Sequence, residues 1–251
     1  MDIGVFSYNT EYSMPADELA VACEERGYES LWLPEHTHIP ASRESPFPGG
    51  GELPKEYVHM SDPFIGLAAA AAVTKKIKLG TGISLVVEHD PIVQAKQVAS
   101  LDRISNGRFL FGIGAGWNKE EMLNHGTPPD RRWKVLTERI EAMQELWTQD
   151  EASYHGEFVN FDRVWSYPKP MTTPHPPILL GSMSSKIGLK RVVELCDGWI
   201  PVLGTVQDMP AAIQQLQELG VDRTVFSVPS ADSDTALPLL DKYSGYISQL
   251  A

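Results

Sequence analysis

The chain is short of cysteine, of basic residues and of long apolar runs, and each shortage removes a class of protein. It has 2 cysteines in 251 residues, Cys23 and Cys196. Both fall on stretches patterned as apolar helix faces, where buried free thiols outweigh a disulfide, so a reducing, cytoplasmic setting is expected. The 21 lysines and arginines face 33 aspartates and glutamates, for a formal net charge of -12. A surface that acidic repels phosphate backbones and argues against nucleic acid as a partner. The longest apolar run, from Leu67 to Val73, is mostly alanine and too short to span a bilayer. Met1 leads directly into a strand, with no basic-then-apolar leader before it, so neither a secretory signal nor a membrane partner is expected.

What the chain has in quantity is alternation. Short apolar runs rich in β-formers occur at 3–8, 30–35, 77–84, 108–115, 178–181, 199–203 and 224–228. Between them lie helical patterns, and two start at Asp-Pro pairs, Asp62-Pro63 and Asp90-Pro91, which supply an N-cap and a first-turn proline. Trp133, Leu136, Ile140, Met143 and Trp147 recur at intervals of three and four and form one apolar stripe. Near-continuous apolar strands alternating with amphipathic helices predict a parallel sheet covered on its outer side. An open doubly wound sheet and a TIM-type barrel share these local signals. The barrel is favoured because the units fill nearly the whole chain and the long loops follow strands, where barrels build their sites. Residues 149–177 interrupt the rhythm with a small hairpin, 153–161, and a loop carrying Pro168, Pro170, Pro174, Pro176 and Pro177. No shift in composition marks a boundary, so residues 1–251 read as one α/β domain with that insertion.

Several segments carry candidate chemistry, each with a plainer alternative. Gly112, Gly114 and Gly116, followed by Trp117 and Asn118, either let the backbone approach a flat ring or satisfy a barrel strand that needs small residues. Gly181, Ser182, Met183 and Ser184 end one strand and start a helix, which suits a phosphate or a simple serine cap. Glu35-His36-Thr37-His38 places an acid and two imidazoles after the second strand. It suits acid–base work, cofactor contact, metal ligation through alternate histidines as in a metal-dependent barrel hydrolase, or an ordinary hydrogen-bonded loop. The long loop at 39–61, rich in Pro and Gly, has the length of a lid or binding loop. Arg131-Arg132-Trp133 reads as a solvated face with one buried tryptophan, or as a guanidinium pair reaching an anionic group, and the Lys75-Lys76-Ile77-Lys78 run reads as a solvated helix end. Tyr8, Trp117 and Trp199 stand near strand ends and suggest an apolar substrate pocket or core packing.

Taken in order, Leu79-Gly80-Thr81-Gly82, Ser105-Asn106-Gly107-Arg108-Phe109, the run from Gly112 to Asn118, Tyr154-His155-Gly156-Glu157-Phe158, Tyr167-Pro168-Lys169-Pro170 and the run from Pro176 to Gly181 resemble the luciferase-like monooxygenase superfamily. The hairpin and proline-rich loop are most similar to members that use the deazaflavin coenzyme F-420; FMN is the alternative cofactor. The resemblance implies a TIM-type barrel and hydride transfer to or from a small organic substrate; a homodimer is expected on other grounds, since the gap left by a missing strand would need a tightened barrel or a dimer surface to cover it. It implies that Gly82-Ile83, often joined by a cis peptide in this group, backs the cofactor ring. It also implies that Gly114, Gly116, Trp117 and Asn118 flank the ring, and that Gly181, Ser182, Met183 and Ser184 hold the phosphate. By the same carry-over Glu35 contacts cofactor and His36 is the catalytic proton donor or acceptor, with Tyr8 and Trp199 toward substrate and no metal. Trp117 stands where some deazaflavin dehydrogenases carry a catalytic glutamate. Finally, only seven barrel strands can be counted against a family pattern of eight, so one βα unit is expected to be missing between residues 204 and 222.

Overall fold

The computed structural model describes residues 1–182, 185–201 and 209–247. Strand β1 (Asp2–Phe6) is followed by helix α1 (Ala16–Glu25), β2 (Ser30–Leu33) and α2 (Pro63–Val73). Then come β3 (Lys78–Thr81), β4 (Ser84–Leu85), α3 (Pro91–Ile104) and β5 (Phe109–Gly114). A short α4 (Lys119–Asn124), which the apolar periodicity does not announce, precedes α5 (Arg132–Thr148). The insertion is an antiparallel pair, β6 (Ala152–His155) and β7 (Asn160–Val164). The last units are β8 (Ile178–Ser182), α6 (Lys186–Leu195), β9 (Gly198–Pro201), α7 (Met209–Glu218), β10 (Arg223–Ser227) and α8 (Ser233–Ile247).

The main strands are all parallel and run in the order β10-β1-β2-β3-β5-β8-β9, with β4 also paired to β5. Strands β3 and β4 are two pieces of one expected run, broken at a cis Gly82–Ile83 peptide. The sheet is therefore a curled α/β barrel wall of seven strand positions. No pairing joins β9 to β10 among the described residues. No strand lies in 209–222, as expected for a missing unit, while 202–208 fall outside the described residues.

Local chemistry sets the helix starts. Asp62 Oδ1 accepts from Ile65 N at 2.9 Å, and Asp90 Oδ1 accepts from Val93 N at 2.9 Å, each ahead of a first-turn proline. At the end of α3 the buried Asp102 accepts from Thr172 N at 2.7 Å and Thr172 Oγ1 at 3.0 Å, which moors the proline-rich loop. Cys23 is buried in α1; Cys196 caps the end of α6 half-buried instead of lying on its apolar face, and both thiols are free. The lysine run is not a helix end. It forms the turn into β3, where the Glu24 carboxylate accepts from Lys76 N at 2.6 Å and Ile77 N at 2.8 Å, and Lys78 pairs with Glu29 at 2.7 Å.

Strand β5 shows why its glycines are there. Phe109, Phe111 and Ile113 face the helices; Phe64 of α2 lies 6.4 Å from Phe111 and Trp147 of α5 lies 6.3 Å from it, ring to ring. The alternate residues face inward and meet the neighbouring strands at close range. A Cβ on Gly112 would stand 2.0 Å from the Thr81 carbonyl oxygen, and one on Gly114 would stand 2.0 Å from Ile83 Cδ1. Both glycines make room for the wall itself, and in particular for the side chain of Ile83. Gly114→Ala should cost roughly 1–3 kcal/mol by overpacking. Ile83→Val in the same chain should return part of that loss in chemical denaturation, whereas additive losses would show that the two positions do not compete for space.

Candidate active site

The loops that follow β2, β3/β4 and β5 converge at one end of the sheet. Glu35, two residues past β2, is buried, with its side chain 2% exposed. Its Oε2 accepts from Ser84 Oγ at 2.7 Å and Leu85 N at 2.6 Å, and its Oε1 lies 2.8 Å from His89 Nε2. Burial by itself would push the Glu35 carboxyl up, but His89, Ser84 and the Leu85 N–H outweigh it and hold it below the usual carboxylate range. Burial also works against the His89 imidazolium, and Glu35 overcomes this to raise His89 above the usual imidazole range. Glu35 thus spends its oxygens on the strand-break segment.

The neighbouring His36 has a different set of partners. Its Nδ1 lies 2.6 Å from Glu121 Oε2, and Trp117 Nε1 donates to its Nε2 at 3.2 Å. An indole N–H only donates, so Nε2 carries the lone pair and Nδ1 the hydrogen given to Glu121. The His36 side chain is 6% exposed and that of Glu121 is 0% exposed. The result is a carboxylate-backed imidazole whose outer nitrogen is capped by Trp117. The His38 ring turns elsewhere, to Thr37 Oγ1 at 3.0 Å and Asn124 at 2.8 Å, while its backbone N–H donates to the other Glu121 oxygen at 3.5 Å.

Glu121 escaped the sequence reading, although its signal is present. Asn118-Lys119-Glu120-Glu121 has the spacing of a capping box, and Asn118 Oδ1 accepts from Glu121 N at 3.2 Å to start α4. The carboxylate that would close the box reaches His36 instead. Its neighbour Glu120 accepts from Ser45 N at 2.9 Å and from the Ser45 hydroxyl, tying the 39–61 loop to α4. That loop brings Tyr57 to 5.4 Å from the His36 ring and Phe47 to 6.1 Å from Trp117. Tyr8 joins them, its phenol 3.3 Å from that of Tyr57, with burial raising its pKa. The loop packs these rings against the site, and Tyr57 and Phe47 were not singled out from the sequence.

Among the buried donors without a partner in the described residues, two stand at the strand ends of interest: the Asn118 amide nitrogen and the Ser182 hydroxyl. An orphaned hydroxyl after β8 and an orphaned amide after β5 fit a polar ligand with phosphate and ring acceptors. Ser185 is the cap of α6, accepting from Gly188 N at 3.0 Å. Met183 and Ser184 lie outside the described residues. Gly181 packs on Ile83, a Cβ there meeting Ile83 Cγ2 at 2.7 Å, and Gly116 turns at φ +69 beside Met122. Trp199 donates from Nε1 to the Ser182 carbonyl at 3.0 Å, supporting the same strand end. Arg131 reaches Glu157 on the hairpin at 2.9 Å, a solvated pair remote from these groups.

The Glu35–His89 pair predicts a pH dependence. Glu35 contributes stability above its unfolded value and loses it as pH falls through its lowered folded value. His89 contributes below its unfolded value, about 6.5, and loses it as pH rises through its raised folded value. His89→Gln should therefore cost about 3 kcal/mol near pH 6, the scale for leaving a buried charge unpaired. The cost in urea unfolding should shrink on the alkaline side; a constant difference would mean that His89 is not charged.

The family model described as luciferase-like monooxygenase matches residues 3–228. An uncharacterized protein of Mycobacterium tuberculosis is 35% identical, with 99% of each chain covered. That alignment runs over 280 positions against the 251 residues here, so the relative carries positions with no counterpart in this chain. Among solved structures, an F-420-dependent secondary alcohol dehydrogenase, in complex with an F-420–acetone adduct, matches with TM-score 0.65 and 22% identity, covering 89% of this chain and 68% of that one. The oxygenating constituent of 3,6-diketocamphane monooxygenase from Pseudomonas putida, in complex with FMN, matches with TM-score 0.64 and 18% identity, covering 89% and 64%. The barrel wall, the broken third strand and the match along nearly the whole chain have one reading: this protein belongs to the luciferase-like monooxygenase family.

Proposed function

We propose that the protein is an oxidoreductase that transfers a hydride between coenzyme F-420 and a small organic substrate bearing a hydroxyl or carbonyl group. The observation that carries this reading is the His36–Glu121 pair, a near-buried imidazole whose outer nitrogen carries a lone pair that accepts from the Trp117 N–H. Such a pair takes a proton at Nε2 while the carboxylate stabilises the imidazolium that forms, and returns the proton in the reverse direction. That is the proton work a hydroxyl/carbonyl interconversion requires beside a two-electron carrier. Bound F-420 supplies the hydride chemistry.

The residues of this chain do the rest. Gly82 and Ile83, with Gly114, Gly116, Trp117 and Asn118, would line the cofactor ring, and Ser182 and its neighbours would take the phosphate. Tyr8, Tyr57, Phe47 and Trp117 form an apolar surround that keeps water from His36. A substrate hydroxyl replaces the Trp117 N–H as the hydrogen-bond donor to Nε2. The position of a catalytic glutamate in some deazaflavin dehydrogenases holds Trp117, and Glu121 brings a carboxylate to the histidine from one helical turn further on. FMN-dependent monooxygenation is the second reading, supported by a fold match to the FMN-bound enzyme as good as that to the F-420 enzyme.

Anaerobic fluorescence titration decides between them: F-420 is expected to bind more tightly than FMN, and equal or reversed affinities would refute the deazaflavin assignment. With F-420 and a panel of small alcohols, His36→Ala should keep the fold and lose roughly 10²–10⁴-fold in turnover. Turnover within a few-fold of the parent would move the proton role to another residue.

A further inference from the structure

One cation beside the candidate site stands without an anion. Arg43 lies in the 39–61 loop, partly buried, with its guanidinium carbon 5.8 Å from the centre of the Trp117 ring. The His36 ring is 5.7 Å from the same indole, and Phe47 is 6.1 Å from it. Arg43 Nη1 is buried and has no hydrogen-bond partner among the described residues, and no carboxylate among them pairs with the guanidinium. Glu120, the acid that anchors this part of the loop, accepts instead from Ser42 Oγ at 3.4 Å and Ser45 N at 2.9 Å, one on each side of Arg43.

The backbone of Arg43 supplies an independent observation. Its φ is +52, in the left-handed region that glycine and asparagine enter readily and a long side chain does not. Strain of that kind persists where the surroundings fix it, and here Glu120 holds residues on both sides. The ring contact does not account for it, since 5.8 Å is close to the outer limit of a cation–π attraction, about 6 Å. The chain has 33 acidic residues, yet this arginine is held in a strained conformation against aromatic rings without one of them.

We propose that Arg43 binds a carboxylate of the substrate, which makes the substrate class short hydroxy or oxo acids. The proposal deepens the function given above and rests on it. A guanidinium presents its N–H groups as a planar fork that matches a carboxylate, and the contact gains strength where aromatic rings displace water. The substrate hydroxyl is placed at His36 Nε2 and its carboxylate at Arg43, both beside one indole, which keeps the carbon chain between them short. A single guanidinium over Trp117 matches a single negative charge and so favours a carboxylate over a phosphate monoester. Arg43 meets the substrate away from the reacting carbon; it sets specificity and moves no proton.

The test is calorimetric titration of the full chain, with and without F-420, using lactate and 3-hydroxybutyrate beside their uncharged amides. Each acid should bind roughly 10–100-fold more tightly than its amide, the scale of a hydrogen bond between charged groups. Arg43→Gln should abolish that preference, and Arg43→Lys, which keeps the charge without the fork, should restore part of it. Urea unfolding supplies a readout that separates binding from support of the fold. Arg43→Asn suits φ +52 and removes a side chain with no anionic partner, so its midpoint should hold or rise. The assignment is overturned if the acids bind no better than the amides, if the preference survives Arg43→Gln, or if the Arg43→Asn midpoint falls. Tighter binding of 2-hydroxypropyl phosphate than of either acid overturns it as well. Acid preference without F-420 binding or hydride transfer is a separate outcome, which leaves Arg43 in place and overturns the deazaflavin reading.

Discussion

Glu35 carries a negative charge in a place almost without solvent, and a carboxylate tolerates such a place only if its lone pairs are filled. Here the Ser84 hydroxyl, the Leu85 N–H and the His89 ring fill them. All three donors come from the segment immediately after the Gly82–Ile83 break, so one side chain at the end of β2 sets the path of the chain beyond β3. That path puts Ile83 against Gly114 and Gly181 and turns Glu88 inward toward α4. The segment at Gly82–Ile83, the inner face of β5 and the acid at Glu88 therefore all depend on one buried ion pair.

The same wall holds three buried glutamates with different roles, and supply of donors separates them. Glu35 has three and stays ionised. The Glu121 carboxylate has the His36 ring at 2.6 Å and the His38 N–H at 3.5 Å. Glu88 has none, and burial with its acidic neighbours pushes it up. Burial alone pushes both Glu35 and Glu88 toward the neutral form; the neighbours decide which retains a charge. The 39–61 loop belongs to the same arrangement, because Glu120, one residue before Glu121, anchors Ser45 while Glu121 holds His36. The position of that loop and the orientation of the imidazole are thus tied to the first turn of one short helix.

Elements with a local cause were legible in the residues alone. The helices starting at Asp62 and Asp90 stand where their caps place them, and the insertion is the hairpin its residues suggest. The break at Gly82–Ile83 came from the ordered resemblance, since no single stretch of it is distinctive. Glu121 was half legible: the Asn118-to-Glu121 spacing marks a helix start, but nothing in it says that the carboxylate leaves the cap for a histidine 85 residues earlier in the chain. Glu35 read as a cofactor contact because it stands beside His36. Consecutive residues in a loop point in different directions, and the two side chains serve different partners.

The residues by themselves determined the alternation of strand and helix, the family, the shortage of one βα unit and the strand ends at which a site would form. These follow from periodicity, caps and turn residues, all of which act over a few neighbours. The tertiary structure decided which acids are charged, which histidine is paired, and why Gly112 and Gly114 have no side chain. Each of those depends on atoms brought together from distant segments, and the free energies involved are those of desolvation and close packing, which a linear sequence does not contain.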